Sequence, residues 1–229
     1  MSNAPAQATK PTTLVTPLAT VFGFVNITKP DTKYKPEGEF KIRVKVPKEA
    51  AQDLYESLAQ QAEAKLAEVV KRAKTDAKFK ATLKGKAPKA ADLPFYEDDE
   101  GNYVFTFKSK ASFISKKPGS EGETINRTIP VWQGNKRLRP EDIPKFGEGS
   151  TVKVSFVAAD FFTAAVGAGI TLRLEAVKLI KAVEYTGGGS NPFGDEDGES
   201  DYQESEAPGN AFGDDDDGDG GTASEDVDF

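Results

Sequence analysis

Residues 40–46 read F-K-I-R-V-K-V, and that strict alternation leaves little choice of conformation. Successive side chains of a strand point to opposite faces, so Phe40, Ile42, Val44 and Val46 share one face and Lys41, Arg43 and Lys45 the other. Wound into a helix, the same residues would spread apolar groups around the whole circumference. The segment therefore calls for a sheet with one face buried, and the face it leaves outside is wholly cationic.

The period of two recurs along the chain. Residues 19–28 alternate Phe22, Phe24 and Asn26 against Val21, Val25 and Ile27, and Lys29-Pro30-Asp31 reads as the turn that ends them. From residue 103, Tyr103, Phe105 and Phe107 share a face that continues through Ser109 and Ala111 to Phe113, with Lys108 and Lys110 opposite. Further strand patterns cover residues 123–132, 151–158 and 167–185. Residues 48–84 differ. Pro47 precedes a stretch without Gly or Pro in which Leu54, Leu58, Ala62, Leu66, Val69 and Ala73 recur at spacings of three and four, an amphipathic helix whose second half is rich in Lys. Five to seven strands joined by turns, with one helix among them, favour a small antiparallel barrel or sandwich over a parallel α/β sheet. A mostly β chain built on an OB-like, five-stranded antiparallel barrel with one long inserted α-helix at about 48–84 fits the count.

Charge divides the chain in two. The net charge is -7, yet the 43 residues from Gly187 onward carry fifteen Asp and Glu and no Lys or Arg, which leaves the rest at +8. The sequence thus reads as an arm (residues 1–13) expected to be disordered, a basic body (14–186), and an acidic tail (187–229) of Gly, Asp, Glu and Ser that cannot bury enough surface to order itself. Such asymmetry points to a nucleic-acid or membrane partner for the body. No apolar run approaches the ~18 residues of a membrane span, and residues 1–13 lack the apolar core of a signal peptide.

The sequence has no Cys and no His, which excludes thiolate metal sites, thiol nucleophiles and the usual Ser-His-Asp triad. It also lacks phosphate-loop, dinucleotide and hydrolase motifs. Asp215, Asp217, Asp219-Gly220 and Asp226 imitate a calcium loop, but Asp stands where Glu belongs and no helix pattern flanks it. The expectation is a non-enzyme without cofactor or metal.

Binding a single strand of nucleic acid takes cations along the phosphates and rings on which bases stack. The candidates are Lys41, Arg43, Lys45, Lys108, Lys110 and Arg137, with Tyr103, Phe105, Phe107, Phe113, Trp132, Phe161 and Phe162. Phe is also the natural filling of a core, and because adjacent strand residues point opposite ways, one of Phe161 and Phe162 can sit in the core while the other faces outward. Asp226, Asp228 and the terminal Phe229 form a compact acidic and aromatic docking group, suited to a basic partner site or to the body's own cationic groove. The rival reading is an interaction or structural β protein that does not bind DNA and whose tail serves solubility.

Several motifs in order resemble one family. They are Ile27-Thr28-Lys29-Pro30-Asp31, Leu93-Pro94-Phe95-Tyr96, Thr106-Phe107-Lys108 with Ala111-Ser112-Phe113, Glu141-Asp142-Ile143-Pro144, Lys153-Val154, Ala165-Val166-Gly167-Ala168, Leu172-x-Leu174-Glu175-x-Val177, Gly187-Gly188-Gly189 and the closing Asp228-Phe229. Together the chain is similar to the single-stranded DNA-binding proteins of short-tailed phages of the T7 type. The resemblance implies an OB fold with an inserted helix and a role in phage DNA replication, recombination, repair and strand annealing in the cytoplasm of the infected bacterial host. It further implies a homodimer, and recruitment of the phage DNA polymerase and helicase-primase through the tail. Where the family has Tyr and Trp before Ala165-Val166-Gly167, this chain has Asp160 and Phe162.

Overall fold

The computed structural model describes residues 12–33, 35–115 and 119–184, all within the first of the chain's two units, Met1–Gly187. The tail from Gly187 and nearly all of the arm lie outside these residues. Twelve strands are described: β1 (Thr13–Val15), β2 (Ala19–Val21), β3 (Asn26–Asp31), β4 (Glu39–Pro47), β5 (Phe95–Glu97), β6 (Asn102–Lys110), β7 (Ser112–Ile114), β8 (Thr124–Asn126), β9 (Val131–Gln133), β10 (Lys136–Arg137), β11 (Thr151–Thr163) and β12 (Gly167–Lys181). Two helices, α1 (Lys48–Thr75) and α2 (Ala77–Thr82), lie between β4 and β5.

Strand β4 realises its alternation fully. Ile42, Val44 and Val46 are completely buried while Lys41, Arg43 and Lys45 lie half-buried on the outside. It pairs along its whole length with β6, from Glu39 opposite Lys110 to Pro47 opposite Asn102. The long hairpin of β11 and β12 closes at Thr163 opposite Gly167. Pairings run β11–β2–β4–β6–β12 and return from β12 to β11. Phe105, Phe107 and Phe156 fill the interior of this circuit, the last two with ring centres 4.9 Å apart. Full burial of each such side chain contributes about 1.5–3 kcal/mol.

Four expectations are corrected. The sheet is not purely antiparallel: β12 runs parallel to β6 and to β9, because the chain leaves β6 and returns only after a long excursion. Lys29-Pro30-Asp31 is not a turn but the end of β3, which pairs only with β4; Pro is tolerated on such an edge because its missing N–H is not needed. Thr13 belongs to β1 rather than to the arm, opposite Val157 of β11. The helical insert is two helices. Asp76 breaks it with an extended backbone (φ -113°, ψ 101°), and its Oδ1 accepts the Phe79 N–H at 3.0 Å. A short carboxylate that satisfies the first amides of a helix from outside favours a fresh start over continuation.

Helix α1 buries Ala51, Leu58, Ala62 and Val69. Tyr55 stacks on Tyr103 at 4.0 Å and meets Phe95 edge-on at 4.9 Å. The Tyr103 hydroxyl donates to Gln52 Oε1 at 2.6 Å, which satisfies its one polar atom at the core's margin.

Candidate nucleic-acid interface

Register decides which cations meet. Lys41 of β4 stands directly opposite Lys108 of β6, and Lys108 directly opposite Arg173 of β12. Directly opposed residues share a face, so three cations form a row across three strands on the outward side. Like charges so placed repel. The Lys41 ammonium is held below its ordinary 10.5, first by burial and then by Lys108 and Arg43, with Glu39 and Asp31 only partly opposing this. Burial and the two neighbouring cations thus outweigh the nearby carboxylates at this position.

The neighbouring cations are partly committed. Lys108 Nζ lies 3.9 Å from Glu39, and Arg173 Nε 3.0 Å from Glu175, which also takes Arg127 at 2.7 Å. Lys45 bonds Asp98 at 2.9 Å and Glu100 at 3.0 Å; its hydrogen bond to Asp98, then that to Glu100, raises its pKa above 10.5. Asp98 is fixed in turn by the N–H groups of Asn102 at 2.8 Å and Glu100 at 3.0 Å.

One ring packs on two further cations of β4. The Arg43 guanidinium and Lys45 ammonium lie 4.9 Å and 4.6 Å from the centre of the Phe22 ring. Gly23 then turns the chain at φ +73°; a Cβ there would stand 3.1 Å from Arg43, and Phe24 beyond it is 79% exposed.

The candidate residues separate accordingly. Lys41, Arg43, Lys45 and Lys108 come together, and Lys110 lies exposed farther along β6. Tyr103, Phe105 and Phe107 do not join them and are corrected to core: they point inward from β6, opposite Val46, Val44 and Ile42, with 2%, 0% and 0% exposure, and offer no face to a base. Phe113 sits exposed on the separate β7–β8 ribbon, opposite Ile125. Trp132 of β9 is opposite Lys178 of β12, which is opposite Lys153 of β11, and Arg137 of β10 backs Trp132. This second row lies five residues along β12 from Arg173, about 16 Å at the rise of a strand. It edges a shallow pocket lined by Val15, Trp132, Lys153, Ser155 and Lys178 among others.

Phe161 and Phe162 are both half-buried, neither of them wholly core nor wholly exposed. Their hairpin extends beyond the interior and is flanked by the helical insert. Phe162 leans on Phe79 of α2 at 5.3 Å, and Phe79 carries the Arg72 guanidinium at 4.5 Å on its ring. Asp160 accepts from Gln61 of α1 at 2.7 Å. Asp226, Asp228 and Phe229 lie outside the described residues. Sequence reasoning missed Phe22, Phe24, Lys153, Arg173 and Lys178. The signal for Arg173 was its place on the polar side of an alternating strand; its neighbours are set by a parallel pairing that no local pattern encodes. Among the described residues no cluster of acids could hold a metal ion, and no helix is long and apolar enough to cross a membrane.

A family described as the single-stranded DNA-binding protein of bacteriophage T7 matches residues 18–182, which takes in every strand from β2 to β12. The chain belongs to this family. Within it, the single-stranded DNA-binding protein of Escherichia phage T7 is 30% identical over 197 residues, covering 81% of this chain and 82% of that protein. The corresponding protein of Enterobacteria phage T3 is 34% identical over 121 residues, covering 52% and 50%. The crystal structure of gp2.5, a single-stranded DNA-binding protein encoded by bacteriophage T7, superposes with a TM-score of 0.67 at 27% identity over 85% of this chain and 99% of that one. These family members are binding proteins, not enzymes.

Proposed function

We propose that the protein binds single-stranded DNA without regard to sequence, laying the strand across the outward faces of β4, β6 and β12. The row Lys41–Lys108–Arg173 carries this reading: three cations stand directly opposite one another across three strands, in a family whose relatives bind single-stranded DNA. Phosphates would neutralise the row, and Phe24, with Phe22 held beneath Arg43 and Lys45, would supply stacking worth about 1–3 kcal/mol per base. In this reading the closed circuit of pairings is an OB-type barrel, and the strand crosses it much as oligonucleotides cross the outer sheet face of that fold.

The broader role we infer is in phage DNA replication, recombination and repair in the infected bacterial cytoplasm, with strands protected and annealed. It acts as a homodimer, and its acidic tail with Asp226, Asp228 and Phe229 engages the phage DNA polymerase and helicase-primase. Family membership and the contrast between residues 1–186 at +8 and the acidic tail support this.

Titrating oligo-dT at several salt concentrations tests the binding. The logarithm of affinity should fall linearly with the logarithm of salt, by about 0.7 per phosphate contacted. A flat response, or equal affinity for duplex, would overturn it.

A further inference from the structure

The sheet face does not hold most of the body's positive charge. Residues 71–89 contain eight basic residues against one acid, Asp76, a net of +7, against +8 for residues 1–186 as a whole. Lys71, Lys74, Lys78, Lys80, Lys84, Lys86 and Lys89 are all exposed, and the only ion pair of this stretch among the described residues is Arg72 with Asp76 at 3.3 Å. Asp76 is spent on that pair and on the Phe79 N–H, which, followed by Arg72, holds its carboxyl below the usual carboxylate range. On the sheet, by contrast, Lys45, Lys108 and Arg173 each already have a carboxylate.

The stretch is also fastened to the sheet at the hairpin end. Phe79 rests on Phe162. The Ala91 N–H donates to the Ala168 carbonyl at 2.8 Å, and the Ala168 N–H to the Lys89 carbonyl at 2.9 Å. Between the end of α1 and the returning chain runs an open groove of about 530 Å³, lined by Ala73, Ala77, Ala81 and Pro88 together with Lys80 and Lys86. Charge and shape therefore ask for a linear polyanion that also brings flat apolar groups. A single strand of DNA offers both; an acidic peptide offers mainly the charge.

We propose that residues 71–89 form a second phosphate-binding surface, onto which the single strand continues after passing the Phe161–Phe162 hairpin. This rests on the reading that the sheet face binds single-stranded DNA. The helical insert is then part of the DNA track, adding length and salt sensitivity to it.

The test compares three triple variants of the full chain, each shown by circular dichroism to be folded, on oligo-dT of graded length. Lys78→Ala with Lys80→Ala and Lys86→Ala should keep binding but shorten the occluded length. It should also make the salt slope shallower by about 2, so that between 50 and 200 mM salt it loses about 20-fold less affinity than the parent. Lys136→Ala with Lys145→Ala and Lys181→Ala removes the same charge elsewhere and should leave the occluded length unchanged. An insert variant with the parent's slope and length overturns the proposal, as does a control variant that changes both equally. Lys41→Ala with Arg43→Ala and Lys108→Ala reports on the sheet face alone: if it binds like the parent, the reading of that face fails, whatever the insert does.

Discussion

Phe24 and Phe107 are the same side chain in opposite circumstances. The first is 79% exposed just beyond the turn at Gly23, the second fully buried against Phe105 and Phe156. Phe107→Ala should cost about 3–5 kcal/mol of stability in urea unfolding, with little change in DNA affinity while the protein stays folded. Phe24→Ala should leave the urea midpoint within error and weaken oligo-dT binding by about 1–3 kcal/mol in a titration. Lys41 offers a sharper case. Its pKa is depressed in the folded chain, so the unfolded chain binds the proton more readily, and stability rises as pH climbs toward 10.5. Lys41→Met should thus stabilise the fold by about 0.5 kcal/mol at neutral pH and flatten that alkaline rise, while weakening DNA binding several-fold. The outward direction of Lys41, Arg43 and Lys45 was legible in the sequence, because seven alternating residues admit one arrangement. Which rings were core was not: in Tyr103-x-Phe105-x-Phe107 the alternation fixes that three rings share a face, but not that this face is the interior.

The hairpin of β11 and β12 depends on a place where a side chain has no room. Gly167 has φ +118°, and a Cβ there would lie 2.5 Å from the Lys89 carbonyl. Gly167→Ala should destabilise by roughly 2 kcal/mol and detach residues 89–91 from Ala168, seen as faster hydrogen exchange at the Ala91 and Ala168 amides. The elements themselves were largely readable. The strands at 40–46, 103–110 and 151–158 and the start of the helix after Pro47 follow from period and punctuation. The break at Asp76 was not, since one cap inside a run of good helix formers leaves the apolar spacing nearly undisturbed. The parallel union of β6 with β12 was equally hidden, because residues far apart in sequence meet there through no local rule.

At the scale of the molecule, the net charge of -7 is the sum of a basic body and an acidic tail. Deleting residues 187–229 should tighten binding to oligo-dT about tenfold at low salt and abolish association with the phage polymerase in a pull-down; unchanged DNA affinity would refute a competing role for the tail. The sequence displayed this division openly, and charge needs no fold to be counted. The Lys41–Lys108–Arg173 row needs one, and therein lies a consequence for how the protein is made. Its first two members meet through an antiparallel pairing formed early along the chain, but the third arrives only when β12 docks parallel to β6. Pairings between such distant residues form slowly. A chain still on the ribosome, or one refolding with β12 undocked, has not assembled the row. Affinity for DNA should therefore appear in step with the slowest phase of refolding, so that unfinished molecules do not occupy the strands that finished ones are made to cover.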